Sequence, residues 1–141
     1  MLTTEPPRAD GYLPSSPFWQ GLREGRLVLQ ACRTTGRFQH PPRPISLATG
    51  SRLLDWREVS GAGAVLAWTR VFAAGAAAPG IVALIELDEG VRLYGRILEP
   101  DTDGIAVGQR VRLAWDTYAD GTPYPAFRLA PATERGLAGR P

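Results

Sequence analysis

The stretch Ile81 to Leu98, IVALIELDEGVRLYGRIL, decides how the rest of this chain is read. Ile81, Ala83, Ile85 and Leu87 share one face of an extended segment, and Val91, Leu93, Gly95 and Ile97 share one face of the next. A repeat of two is the period of a β-strand. Asp88-Glu89-Gly90 between the runs reads as a hairpin turn, with Gly90 supplying the positive φ that such turns need. A single hairpin cannot bury its apolar face, so further strands must cover it.

Those strands are found on both sides. Upstream, Leu54 to Phe72 alternates apolar and polar residues and is interrupted by Ser60-Gly61-Ala62-Gly63. This predicts one long strand bent at glycines, the way small barrels turn a corner. Ala73 to Pro79 is Ala/Gly-rich and reads as a loop. Downstream, Pro100 to Gly108 is turn-rich. Gln109 to Tyr118 then places Val111, Leu113 and Trp115 inward, Ala119-Asp120-Gly121 turns, and Ala126 to Leu129 closes the sheet. Five Gly-cornered strands over 54–130 suit a five-stranded Greek-key barrel of the OB type. The tail 131–141 has no periodicity and reads as a flexible extension.

Before the barrel, residues 1–25 comprise a Pro-rich arm and the segment SSPFWQGLREG. Ser15 or Ser16 suits a helix cap, Pro17 its first turn and Gly25 its end. Phe18, Trp19 and Leu22 form the apolar side of this two-turn helix. Two readings stand: the side packs on the chain's own barrel, or, with Arg23 at the rim, it anchors a protein partner. Residues 26–53 begin with a strand, RLVLQA, and continue as two short knuckles around a Pro-rich turn, the outline of a zinc ribbon. A ribbon needs four soft ligands in two close pairs. The positions here hold Cys32 and Thr35, then Ser46 and Thr49, with His40 outside the paired spacing. One thiol and three neutral hydroxyls do not make a structural zinc site, so no metal is expected. Phe38, Ile45, Leu47 and Leu53 are the candidates for a small apolar core in its place.

The chain has 141 residues, enough for one main domain with a small appendage, and its 44% hydrophobic content is that of a globular protein. A net charge of +2 is too small to imply nucleic acid by itself. Cys32 is the only cysteine, so no disulfide forms within the chain. The opening MLTTEPPRAD has acidic residues and no apolar run, and the longest apolar stretch is broken by Pro79-Gly80. A cytoplasmic protein with no membrane partner is therefore expected.

The phrases PFWQGLREGRLVLQAC, RFQHPPRP, VSGAGAVLAWTRV, ALIELDEGVRLYGRI and IAVGQRVRL, in this order and spacing, resemble the acyl-CoA-associated OB-fold proteins with an N-terminal rubredoxin-like zinc ribbon. That family was long labelled domain of unknown function thirty-five. The resemblance covers about residues 15–130 and implies a short helix, a ribbon lobe and an OB barrel. It implies a non-catalytic accessory subunit that binds and completes a thiolase-fold enzyme acting on acyl-CoA, whether acyltransferase, thiolase or retro-aldol lyase. It also implies a heterotetramer of two copies with a dimeric thiolase-like protein. The family's four zinc cysteines fall on Cys32, Thr35, Ser46 and Thr49, of which only the first remains. No cofactor of its own is then expected, and a CoA thioester is met only through the complex.

Arg92, Arg96, Arg110 and Arg112 occupy outward strand positions. They read as contacts for CoA phosphates or for acidic patches on the partner, or else as a solvated sheet face. The alternative function is a single-stranded nucleic-acid module, because Tyr94 lies between Arg92 and Arg96 on one face. Its weakness is a platform of one aromatic. A free-standing enzyme would have to rest on Cys32 and His40, the only cysteine and histidine, since Asp88 and Glu89 sit in a turn.

Overall fold

The structure is a computed structural model, and it describes residues 16–77, 79–99 and 105–131. The N-terminal arm, the tail beyond 131 and part of the turn after Glu99 lie outside the described residues. One helix, α1 (Ser16–Arg23), precedes eight strands: β1 (Val28–Cys32), β2 (Phe38–Gln39), β3 (Leu54–Glu58), β4 (Gly63–Val71), β5 (Gly80–Leu87), β6 (Arg92–Ile97), β7 (Arg110–Thr117) and β8 (Pro123–Leu129). The first three form a sheet in the order β2-β1-β3, and the last five form a closed barrel in the order β4-β5-β6-β8-β7. Every barrel pairing is antiparallel except β6 with β8. Closure removes the sheet edges that an open five-stranded sheet would leave unpaired.

The central hairpin forms as its pattern requires. Ile81 pairs with Ile97, Ile85 with Leu93 and Glu86 with Arg92. Gly90 has φ 82°, and its N–H bonds the Leu87 carbonyl at 2.9 Å. Buried and half-exposed residues alternate along β5. Gly95 takes an inward position because a side chain there would collide with the core: a Cβ would stand 2.5 Å from the Phe127 ring, which is fully buried.

Leu54 to Phe72 is two strands in two sheets, not one bent strand. β3 pairs along its whole length with β1, Val28 opposite Glu58 and Cys32 opposite Leu54. Gly61, at φ 72°, then turns the chain, and its missing Cβ leaves room for Leu113, which would lie 2.6 Å away. The barrel therefore starts at Gly63 rather than at residue 54, and β3 belongs to the ribbon lobe. Apolar alternation continued across the break and carried no sign that the strand changed partners. β4 meets β7 only at Gly63 and Ala64, and its register with β5 slips between Val65 and Ala67.

The helix turns its apolar side inward. Phe18 and Leu22 are buried, Leu22 with 1% of its surface exposed, as the helix packs on β1 and β8. Gly21 permits this approach, since a Cβ there would be 2.8 Å from the Val28 side chain. β1 is buried along its entire length, so the ribbon lobe is rooted in the main core. The expected small core of that lobe does not form: Ile45, Leu47 and Leu53 are 41%, 70% and 54% exposed, and only Phe38 packs against the core.

Gly95→Val should lower the free energy of unfolding by about 1–3 kcal/mol, the usual cost of overpacking a filled core. Urea unfolding followed by far-UV circular dichroism would measure it, and a midpoint equal to wild type would contradict the Phe127 contact.

Candidate functional site

The ribbon positions converge as the resemblance implies, but their chemistry is not that of a metal site. After β1 the chain turns so that Cys32 N–H bonds the Arg37 carbonyl at 2.8 Å and Gly36 N–H bonds the Cys32 carbonyl at 2.7 Å. The second turn repeats the pattern: Ser46 N–H to Ser51 at 2.7 Å, and Gly50 N–H to Ser46 at 2.8 Å. Gly36 and Gly50 have φ of 73° and 75°. These are two equivalent knuckles. Their side chains meet at the Cys32 sulfur, which lies 3.8 Å from Thr49 Oγ1. Hydrogen bonds from the Ser46 and Thr35 hydroxyls bring the thiol down to about 6.

A tetrahedral zinc would require thiolates, imidazoles or carboxylates at all four points. Three of the four carry neutral hydroxyls, which are weak ligands for it. His40 is turned elsewhere, its ring centroid 5.3 Å from that of Phe18, and burial pushes its pKa down. Among the described residues no group of three His, Cys, Asp or Glu side chains comes together. The donor set does not fit a zinc ion, and no step is derived through one.

The four barrel arginines do not form a phosphate cradle. Arg110 makes a two-point pair with Asp88, at 2.7 and 2.8 Å. Arg96 binds Asp116 at 2.7 Å and Arg92 binds Glu86 at 3.2 Å. Each of these pairs links two strands or a strand and a turn on the barrel's outer surface. Of these four, Arg112 is the one with no ion pair among the described residues; it is exposed and stands opposite Arg128. Spacing placed these arginines outward correctly but carried no information about the carboxylates across the sheet. The same pairing removes the cationic track that the nucleic-acid reading needs, although Tyr94 is 74% exposed between Arg92 and Arg96.

A different feature emerges where α1 meets the barrel. Trp19, His40, Tyr94, Tyr118 and Tyr124 line a recess of about 250 Å³. Tyr118 and Tyr124 lie with ring centroids 5.0 Å apart. The Tyr124 hydroxyl donates to Asp116 at 3.1 Å, which fixes the ring, and burial helps push its pKa up to about 12. A phenol held so far above neutrality is a hydrogen-bonding wall, not a base. Sequence reading singled out Trp19 and Tyr94 but missed Tyr118 and Tyr124. The second of these lies between prolines in a segment without clear alternation. Cys32 is buried beneath hydroxyls while His40 packs on Phe18, and no hydrogen bond joins them, so the thiol–imidazole reading finds no support.

The chain thus joins a closed five-stranded barrel of the OB type to a ribbon-type lobe and a docked N-terminal helix. Residues 19–45 match the family described as ChsH2, rubredoxin-like zinc ribbon domain, and residues 56–116 match ChsH2, C-terminal OB-fold domain. One similar structure, an Ltp2-ChsH2(DUF35) aldolase, contains a chain that is 30% identical. This protein covers all of that chain with 88% of its own length, at a TM-score of 0.77. A protein of unknown function from the DUF35 family of Sulfolobus solfataricus shares the fold at 16% identity and a TM-score of 0.60, over 83% of this chain and 85% of its own. The chain belongs to the DUF35 family of zinc-ribbon and OB-fold proteins.

Among curated relatives, a probable enoyl-CoA hydratase alpha subunit of Thermomonospora curvata is 33% identical over 119 residues, 80% of this chain. The 3-oxo-4,17-pregnadiene-20-carboxyl-CoA hydratase alpha subunit of Mycobacterium tuberculosis is 31% identical over 110 residues, 76% of this chain. The chain spans only 37% and 35% of the length of these relatives.

Two outcomes test this description. The double pair from Arg110 holds the Asp88 carboxyl below its ordinary 3.8, and Arg33 with Arg57 does the same for Asp55. Such depressed carboxylates contribute stability above their unfolded pKa and lose it as pH falls through the folded one. The urea midpoint should hold level down to about pH 5 and fall below about pH 4. The fall should be smaller in Asp88→Asn/Asp55→Asn. Because the knuckle backbones are retained, the triple variant Thr35→Cys/Ser46→Cys/Thr49→Cys should bind cobalt(II) with tetrahedral d–d bands and thiolate charge transfer. An octahedral cobalt spectrum would contradict the equivalence of the two turns.

Proposed function

We propose that this chain is a non-catalytic subunit that binds and completes an enzyme acting on acyl-CoA thioesters, and that the enzyme has the thiolase fold. The observation that carries the reading is the similarity to a chain of the Ltp2-ChsH2(DUF35) aldolase, matched over that chain's whole length. The names of the curated relatives, both subunits of CoA-thioester hydratases, support the same substrate class. The described residues supply no nucleophile with an adjacent base, which is what independent acyl transfer or hydration would need. The reaction is therefore assigned to the partner, and this chain's part is positional. We propose an assembly of two such chains with a dimeric partner, working in the cytoplasm without a cofactor of its own, and with acyl-CoA met only through the complex.

The docking face follows from what α1 leaves uncovered. Phe18 and Leu22 hold the helix to the barrel, so they support the face without forming it. Trp19 is partly covered, Arg23 is exposed, and Tyr94 projects from β6 beside the same recess. Tryptophan, tyrosine and arginine are the residues that most often dominate protein interfaces.

Co-expression with a thiolase-fold enzyme from the same organism should give one complex on size exclusion, with acyl-CoA turnover requiring both chains. Arg23→Ala/Tyr94→Ala, at two exposed positions, should weaken that complex by at least about tenfold, near 1.4 kcal/mol, without lowering the thermal midpoint of the isolated subunit. Turnover of a thioester by this polypeptide alone would overturn the proposal.

A further inference from the structure

We propose that the ribbon lobe folds without metal, with two buried glutamines, Gln30 and Gln39, clasping its second knuckle loop in the role a zinc ion has in a ribbon. The clasp holds whatever enzyme the chain serves. It begins with a problem of accounting. The loop carrying the second knuckle, about residues 43–51, pairs with no strand, and its apolar side chains Ile45 and Leu47 are exposed. Neither a ladder nor an apolar core keeps it on the β1–β2 hairpin, and the donor set above fits no zinc.

What holds it is side-chain amide. Gln30, in the middle of β1, donates through Nε2 to the Arg43 carbonyl at 2.9 Å and accepts the Arg43 N–H on Oε1 at 2.9 Å. Gln39, at the end of β2, donates to the Ile45 carbonyl at 2.9 Å and accepts the Leu47 N–H at 2.9 Å. Each glutamine thus gives the loop the paired donor and acceptor that a neighbouring strand would give. Gln39 Nε2 also donates to Gln30 Oε1 at 2.6 Å, joining the two amides into one network. Gln30 and Gln39 face each other across the β1–β2 ladder, with 3% and 7% of their surface exposed. A network so nearly shut off from water is strong when complete and costly when one member is missing.

Ser46 completes the clasp. It is 1% exposed, and its Oγ accepts the N–H groups of Ala48 and Thr49 at 3.2 and 3.3 Å. The serine closes its own knuckle with this hydroxyl. The root of the lobe is secured separately by the buried strand β1, so the clasp has only the tips to order.

The full-length chain, expressed in zinc-supplemented medium, decides the first half. Purified protein is expected to hold less than a tenth of an equivalent of zinc and to keep its melting temperature when a strong chelator is added. Zinc near one equivalent, with a melting temperature that falls on chelation, overturns the proposal. Hydrogen exchange decides the second half. In Gln39→Ala the Leu47 and Arg43 amides should exchange at least tenfold faster, while amides of β5 and β6 keep their wild-type rates. Leu47→Ala, which removes only an exposed side chain, should leave the Arg43 amide unchanged. Equal exchange of both amides in Gln39→Ala and wild type overturns the clasp. Should Gln39→Ala not fold, Gln39→Glu keeps the test open, because it retains the acceptor for Leu47 N–H and loses the donors to Ile45 and Gln30. Selective loss of Arg43 protection then supports the network, and unchanged protection overturns it.

Discussion

Phe127 lies over the bare backbone of Gly95, and the barrel closes around that contact. β8 is the strand that completes the cylinder, since it alone pairs with both β6 and β7. Its parallel registration on β6, Ile97 opposite Phe127, brings the largest fully buried side chain to the one inward position on β6 that lacks a Cβ. Leu98 N–H then bonds the Phe127 carbonyl at 2.9 Å. Any side chain at residue 95 would push these strands apart, so the closure depends on packing at atomic scale.

The two smaller parts depend on that cylinder in different ways. The helix has too few residues to persist alone and is stable because Phe18 and Leu22 are taken into the core. The ribbon lobe is joined through β1, whose five residues are all buried, and through β3, which the chain uses before it enters the barrel. Beyond that root the lobe is polar, held by amides and hydroxyls. The aromatic recess sits where helix, lobe and barrel meet.

Arg96, Arg110 and Arg92 each find a carboxylate on a neighbouring strand or turn. Exposed pairs of this kind contribute little to stability individually. Arg92 and Arg96, on either side of Tyr94, are each held by a carboxylate.

The alternation around Asp88-Glu89-Gly90, the Gly-marked corners and the paired knuckle spacing were sufficient in themselves for a β-rich chain, a barrel and a lobe with too few metal donors. These features are local: strand period, turn chemistry and ligand identity are properties of residues close in sequence. Three matters depended on residues far apart. The partner of Leu54–Glu58 is β1 and not the barrel, because strand choice is settled by which edge is free. The arginines are neutralised because carboxylates arrive from other strands. Gln30 and Gln39 hold a loop because folding places an inward amide beside unpaired backbone, and in the sequence they are only two polar residues within apolar runs. Hydrogen bonds between distant residues leave no period to read, and tertiary structure alone decides them.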